Sequence, residues 1–177
     1  LINSVDIVIG GNVIDRHYGE WLAIWAELSN TTDNKLILDE LLRPTITNEF
    51  NNPHKGKVCI PLQFWFNNEP GLALPLIALQ HSEIRLLVTF NPASKMYKSY
   101  DVSTKTLKIA EVKLYCDYIY LDLDERKKFS ETEHEYLIEQ VQINKSSIHS
   151  KNLLTNIDLS LNHPVKEIFF TISEEIN

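Results

Sequence analysis

Apolar and polar residues alternate along much of this chain, and a period of two is typical of β-strands. The clearest example lies between residues 58 and 90. Before a turn, one apolar face consists of Val58, Ile60, Leu62, Phe64 and Phe66. After the turn, a second apolar face consists of Ile84, Leu86, Val88 and Phe90. We expect two strands whose apolar faces are buried, since a one-residue slip in register would expose every member of the set.

The segment between these two strands predicts a turn. Pro70 fixes φ at the first central position, and Gly71 accepts the positive φ that the second position requires. Pro75 lacks an N–H group and can begin only a short helix, predicted over Pro75–Gln80.

The first forty residues predict a hairpin followed by a helix. Strand alternation at Val5–Ile9 and Asn12–Ile14 surrounds Gly10-Gly11, a pair suited to a two-residue hairpin turn. A helix is predicted over Tyr18–Leu28 because apolar residues recur there every three or four positions; they are Tyr18, Trp21, Leu22, Trp25 and Leu28. Ser29–Thr32 ends this helix, and Leu36–Leu42 is compatible with either a helix or a strand.

The remaining chain predicts further strands joined by polar loops. Strands are expected at Leu107–Leu123, at Leu137–Ile143 and at two later positions, Ile157–Leu161 and Val165–Ile172. The loops are Arg43–Lys57, Asn91–Ser103 and Lys145–Asn156, and the charged Asp124–Glu133 reads as a linker. Many short strands with one helical excursion predict an all-β fold, a sandwich of the jelly-roll type.

Four blocks in this order resemble one protein family. They are Val5–Trp21, Ile60–Phe90, Cys116–Gln142 and Leu159–Phe170. Together they look like the major capsid proteins of the nucleocytoplasmic large DNA viruses of eukaryotes, the double jelly-roll lineage. The differences fall in polar segments that read as surface loops, where variation is expected.

The resemblance implies a structural virion protein without enzymatic activity. Residues 1–123 would hold the later strands of the first jelly roll, residues 124–133 a linker, and residues 134–177 the opening strands of the second. Family members form homotrimers that act as pseudo-hexagonal capsomers of an icosahedral shell, beside neighbouring capsomers and minor capsid proteins. The expected location is the virion, after assembly in the host cytoplasm.

Leu1 opens directly into a strand pattern without a methionine, so we expect an incomplete assembly unit. The strands after Glu133 are too few to close a second sandwich, and open edges invite pairing with other chains. The terminal segment is therefore expected to pair with further chain or with a neighbouring subunit, and the isolated chain is expected to aggregate or fold poorly.

Charge and hydropathy narrow the possible partners. The net charge is −7, and the densest basic run, Arg126-Lys127-Lys128, is surrounded by acidic residues, so direct nucleic-acid binding is not expected. No apolar run approaches the roughly 20 residues of a membrane span. Cys59 and Cys116 have no metal-binding spacing; no disulfide is expected, and Cys116 is predicted to be a buried strand residue.

The candidate chemistry is sparse, and no catalytic, cofactor-binding or metal-binding residue is predicted. His134-Glu135 lacks the second histidine of the H-E-x-x-H zinc motif. Asp15 and His17 are expected to cap the first helix or to form a local ion pair, and His163-Pro164 predicts a strand edge or bend. The histidines are scattered singly, at His17, His54, His81, His134, His149 and His163.

Two other classes of protein share the jelly-roll fold. A carbohydrate-binding module would expose aromatic residues such as Trp65 or Tyr97 beside a shallow groove. A cupin-type metalloenzyme would bring several histidines and a carboxylate together inside the barrel.

Overall fold

The computed structural model describes residues 1–42, 58–92, 109, 111–147, 154 and 156–172. Over this part of the chain the regular elements are three strands and three α-helices. They are β1 (Ile2–Ile9), β2 (Asn12–Tyr18), α1 (Gly19–Ser29), α2 (Thr32–Leu42), β3 (Ile84–Phe90) and α3 (Leu123–Glu131). Two compact units emerge, residues 1–140 and residues 141–177.

The predicted hairpin is confirmed. Strands β1 and β2 pair in antiparallel fashion. Gly10 and Gly11 both have positive φ, 58° and 85°, as a two-residue turn of this type requires. The register shifts after Ile7, where Asp15 and Val13 face successive β1 residues and Ile14 is the extra, bulged residue. The carbonyl of Ile14 accepts a hydrogen bond from the side chain of Gln140.

Strand β3 is confirmed as well, and it completes a sheet of order β2-β1-β3. It pairs antiparallel with β1, which places β1 at the centre. Alternate β3 residues, from Ile84 to Phe90, are half-buried, while Arg85, Leu87 and Thr89 between them are exposed. The alternation predicted from the sequence therefore describes the real inner and outer faces of this strand.

The prediction of a strand before the turn, over residues 58–66, is wrong. Residues 58–64 form no ladder, and the segment ends in a 3₁₀ turn at Trp65–Asn67. The amide of Asn67 donates to the carbonyl of Phe64 at 2.9 Å and closes this turn. Phe64 and Trp65 are consecutive and are both buried, which strict alternation forbids, whereas Val58 is exposed. The burial of two adjacent aromatic side chains thus replaces the period of two.

The turn predicted at Pro70 and Gly71 also differs from the prediction. Pro70–Leu72 forms a second 3₁₀ turn, closed by the amide of Ala73 donating to the carbonyl of Pro70 at 3.2 Å. Gly71 has no positive φ, because a 3₁₀ turn keeps φ negative throughout. Residues 75–80 form turns rather than the predicted short helix, with a helical bond from the amide of Leu79 to the carbonyl of Pro75.

Helix α1 is confirmed, and the undecided segment after it is the helix α2. The side chains of Ser29 and Asn30 end α1 by donating to the carbonyls of Trp25 and Ala26, at 2.6 and 2.8 Å. Lys35 forms an ion pair with Glu27 at 2.5 Å and so links the two helices. Leu28 does not join the packed stripe; its side chain is exposed.

The charged segment predicted as a linker is helix α3. Asp122 accepts a hydrogen bond from the amide of Glu125 at 2.8 Å, and the Glu125 carboxylate accepts one from the amide of Asp122 at 3.3 Å. This reciprocal pair is a capping box, which satisfies two backbone donors at the start of the helix. The prediction of a single helical excursion is therefore wrong.

Asp122→Ala is expected to destabilise α3 by about 1 kcal/mol, since it removes the capping side chain. Amide hydrogen exchange should quicken in α3 by about fivefold. The exposed Asp117 lies outside the helix, so Asp117→Ala is the matched control and should leave the α3 amides unchanged. Equal exchange rates in wild type and Asp122→Ala would show that the capping box does not hold the helix.

The later strands are not formed within the described residues. Residues 111–122, 134–147 and 156–172 contain no ladder, and most of their side chains are exposed. Cys116, predicted to be buried, is exposed, and Leu137 is 91% exposed. Alternation supplies one apolar face but no partner strand to cover it, and a strand without a neighbour buries little.

Within the unit of residues 141–177, side-chain hydrogen bonds join two extended segments. Gln142 and Asn162 exchange two bonds, at 3.1 and 3.0 Å, and Asn144 donates to the carbonyl of Asp158 at 2.8 Å. His163 has a φ of 67° and lies at a bend before Pro164, which confirms the bend alternative of the prediction.

Candidate functional site

The inner face of the sheet holds the core of the first unit. Val5 and Ile7 of β1 pack with Phe64 and Trp65, all four buried, and half-buried side chains surround them. These surrounding residues include β3 side chains and Ile138. These contacts form a small apolar core on one face of the sheet.

A close contact between two buried polar side chains, His17 and Asp15, lies within this core. The Nε2 atom of His17 is 2.8 Å from the Oδ2 atom of Asp15, and both side chains are almost fully enclosed. The ring of His17 stacks on Phe64 with a centroid distance of 4.4 Å. The backbone amide of Arg16 donates to the Oδ1 atom of Asp15 at 2.8 Å.

This arrangement brings Asp15 and His17 together, as expected for a local pair, and neither side chain caps the helix. Residue Tyr18 is the N-cap of α1, and no side chain caps it. The Nδ1 atom of His17 has no hydrogen-bond partner among the described residues. The pair therefore has the geometry of a structural element that orients the ring against Phe64.

An ion pair lies across the same two strands. Asp6 and Arg16 face each other in the register, and the guanidinium donates to both carboxylate oxygens, at 2.7 and 2.5 Å. Alternation directs these side chains away from Asp15 and His17. The hydrogen bond and the negative charge of Asp6 raise the pKa of Arg16 above its usual value.

The Asp6–Arg16 pair is expected to contribute about 1 kcal/mol of coupling energy, because the Arg16 side chain is partly exposed and solvent screens the interaction. A double-mutant cycle with Asp6→Ala, Arg16→Ala and the double variant measures this coupling by urea unfolding. The exposed pair Glu83–Arg85, in which the arginine lowers the pKa of Glu83, provides a matched cycle with a smaller expected coupling. Strictly additive effects at Asp6 and Arg16 would contradict this expectation.

The helices present an apolar surface to solvent. We name it the helical patch and define it as Leu28, Leu36, Ile37 and Leu41, whose side chains are between 42% and 69% exposed. Ile37 and Leu41 are four residues apart and so share one side of α2. These two exposed apolar side chains are therefore neighbours on the surface of α2 and are candidates for a contact with another subunit.

The other candidate residues do not converge. His134 contacts the carbonyl of Phe129 through Nε2 at 2.7 Å, and His163 lies at its bend far along the chain. No group of three histidine, cysteine or acidic residues in the described part of the chain could hold a metal ion. His54, His149 and Tyr97 lie outside the described residues.

Trp65, the described candidate for stacking on a carbohydrate, is buried in the core. An aromatic platform for sugars needs an exposed ring, so this expectation of the lectin alternative is wrong for Trp65. Of the helices that the structure describes, none is both long and apolar enough to cross a membrane.

Two family models of known proteins match this chain. The family model described as the N-terminus of major capsid proteins matches residues 1–122. The model described as the large eukaryotic DNA virus major capsid protein matches residues 125–177.

Two relatives are a major capsid protein of Pyramimonas orientalis virus and capsid protein 1 of Acanthamoeba polyphaga mimivirus. The first is 41% identical over 96% of this chain and 42% of its own length. The second is 36% identical over 96% of this chain and 31% of its own length. The chain thus spans less than half the length of these relatives.

A solved structure, the quasi-atomic model of the PBCV-1 virus capsid, is also similar. The similarity has a TM-score of 0.57 at 35% identity and covers 80% of this chain and 34% of the other. The fold is thus that of a viral coat protein. The chain belongs to the major capsid protein family of large eukaryotic DNA viruses.

Proposed function

We propose that this chain is part of a major capsid protein that builds the shell of a large DNA virus. The observation that carries the proposal is the pair of family matches, which follow each other along residues 1–122 and 125–177. The buried apolar core of the first unit supports a structural role, and the described residues of this unit bring no group of metal-ligating side chains together. The chain acts without a cofactor and is not an enzyme.

The proposed assembly unit is a homotrimer with two jelly rolls in each subunit. Residues 1–123 contribute to the first roll, residues 124–133 link the rolls and residues 134–177 open the second. Three subunits form a pseudo-hexagonal capsomer, and head-to-tail contacts around a three-fold axis close the ring. Capsomers and minor capsid proteins tile an icosahedral shell, which assembles in the host cytoplasm.

The charge of the chain is compatible with a shell that encloses a genome without binding it. A net charge of −7 repels phosphates, and the basic run of α3 is flanked by acidic residues on both sides. The exposed apolar side chains of the helical patch provide surface that a subunit contact would bury.

Cryo-electron microscopy of purified virions tests the proposal. The expected result is a capsomer with pseudo-hexagonal outline, into whose density β1, β2, β3 and α1 fit with the observed topology. Mass spectrometry of the same particles should find peptides of this chain among the abundant shell proteins. Particles whose shell lacks these peptides would overturn the proposal.

The helical patch gives a sharper test of assembly. Ile37→Asp is expected to weaken subunit association by about tenfold, because it places a charge in an apolar contact. The free energy of unfolding should change little, since the side chain is exposed. Sedimentation velocity measures the association of subunits.

Asn34→Asp introduces the same charge at an exposed position of α2 and removes no apolar group, so it is the matched control. Association of Asn34→Asp should equal that of wild type. If both variants associate like wild type, the helical patch is not a subunit contact, while the family assignment would stand.

A further inference from the structure

Helix α3 lacks the packing that keeps most short helices folded. It comprises Leu123–Glu131 and buries none of its side chains. Among the described residues, no other helix or strand makes more than slight contact with it. An isolated helix of this length is marginal in water, because most helical stability in proteins comes from the packing of an apolar face. The capping box at Asp122 satisfies donors at the start of α3, so its last turn needs support from elsewhere in the chain.

The segment that follows α3 supplies a contact to this last turn. The ring of His134 donates from Nε2 to the carbonyl of Phe129 at 2.7 Å. The two rings also approach each other, with a centroid distance of 5.1 Å. The last four carbonyls of a helix have no donor within the helix, and that of Phe129 is one of them. His134 therefore satisfies a backbone acceptor that α3 itself leaves open.

We name residues 134–140 the strap. They form no ladder, yet burial alternates along them: His134, Tyr136 and Ile138 are half-buried, and the residues between these three are exposed. Leu137, on the opposite face, is 91% exposed. Alternation of this kind is typical of an extended segment that lays one face on a neighbouring surface.

Two further contacts fasten the strap to the first unit. Ile138 packs against the buried apolar core beneath the sheet. The side-chain amide of Gln140 donates to the carbonyl of Ile14. Ile14 is the bulged residue of β2, and a bulge leaves the extra residue outside the regular ladder, so its carbonyl is available to a side chain. The strap is thus attached to α3 at one end and to β2 at the other.

We propose that the strap keeps α3 folded by fastening the last turn of the helix to the first unit. Because residues 134–140 form no ladder, the side-chain contacts must offset the backbone entropy that ordering them costs. Loss of one contact therefore releases the strap as a whole, and α3 loses its support at Phe129. The inference does not depend on the assembly role, since all of its contacts lie within residues 1–140.

Amide hydrogen exchange of the purified chain tests this coupling. Gln140→Ala removes the bond to Ile14, and the α3 amides should exchange about fivefold faster, the effect of one hydrogen bond. The β1 amides should exchange as in wild type, because the Gln140 side chain is exposed and its loss leaves the core intact. Gln142→Ala is the matched control: it removes an amide that bonds to the carbonyl of Asn162 in the other unit, and α3 should be unaffected.

Ile138→Ala and Leu137→Ala form a second matched pair. Ile138→Ala removes the central contact of the strap and should accelerate α3 exchange at least as much as Gln140→Ala does, because a half-buried apolar side chain is lost. Leu137 lies on the exposed face of the strap, so Leu137→Ala should leave the α3 amides unchanged.

A double-mutant cycle shows whether the strap carries the effect to the helix. His134→Ala detaches the strap from α3, so the further substitution Gln140→Ala should then change α3 exchange by less than about twofold. Additive effects of these two substitutions would overturn the proposal, as would wild-type exchange of α3 in Gln140→Ala. Equal acceleration of the β1 and α3 amides in Gln140→Ala would overturn it too, because the whole unit would then be opening rather than the helix alone.

Discussion

Phe64→Ala is expected to lower the free energy of unfolding of the first unit by about 3–5 kcal/mol. The side chain is completely buried at the centre of the core, between the sheet and the 3₁₀ turn at Trp65–Asn67. Its ring stacks on His17 at 4.4 Å and on Phe66 at 5.5 Å. Truncation leaves a cavity and also uncovers the buried contact between His17 and Asp15, so both losses add to the cost.

Urea unfolding followed by tryptophan fluorescence measures this change, because Trp65 is adjacent and buried. Leu87→Ala is the control: Leu87 lies on the outer face of β3 and is 49% exposed, so its truncation should cost no more than about 0.5 kcal/mol. Phe64→Leu keeps most of the volume and should fall between the two. Equal stability of Phe64→Ala and Leu87→Ala would mean that the core is not where the structure places it.

The elements that the sequence predicts correctly are those whose signal is local. The Gly10-Gly11 pair determines a tight turn by itself, since glycine alone accepts two consecutive positive φ angles cheaply. The stripe of Trp21, Leu22 and Trp25 likewise needs only the period of a helix. These signals depend on a few neighbouring residues, so the fold of the rest of the chain does not alter them.

Strand predictions fail where the partner is missing, because a strand is defined by its neighbour. β3 and the segment of residues 58–66 show the same alternation, but of these two only β3 pairs with β1. The segment instead forms a 3₁₀ turn that buries Phe64 and Trp65 together. Residues 111–122 alternate equally well and remain exposed for the same reason.

Helix α3 could have been predicted from the sequence. Its many charges favoured the interpretation as a linker, whereas Asp122 and Glu125 stand at the spacing of a capping box. Capping signals report where backbone donors are satisfied, and net polarity reports only exposure. The capping residues were therefore the better evidence at this position.

The sequence predicts the buried Asp15–His17 pair only in part. A spacing of two residues places both side chains on one face of β2, opposite Arg16. The sequence does not show that this face is the inner one, because polar side chains usually mark the outer face. The register of β1 decides it: His17 faces Val5, which is fully buried.

Gly19→Ala is expected to destabilise the first unit by about 1–3 kcal/mol, as other substitutions that overpack a close contact do. At an ordinary helical position the same change is stabilising, because alanine has the higher helix propensity. Here a Cβ atom would lie 2.2 Å from the carbonyl oxygen of Ile2, which is backbone and cannot rotate away. That oxygen also accepts a hydrogen bond from the side chain of Asn91 at 3.1 Å, so any displacement of Ile2 strains the edge of the β1–β3 ladder as well.

Gly71→Ala provides the matched control for Gly19→Ala. A Cβ atom at Gly71 meets nothing within 4 Å, and its φ is not positive, so alanine fits the native conformation. The unfolded chain loses freedom, and stability should rise by about 0.4–1 kcal/mol. Urea unfolding of both variants should thus give changes of opposite sign. Equal stabilisation by both would mean that α1 does not approach β1 as closely as the position of Gly19 indicates.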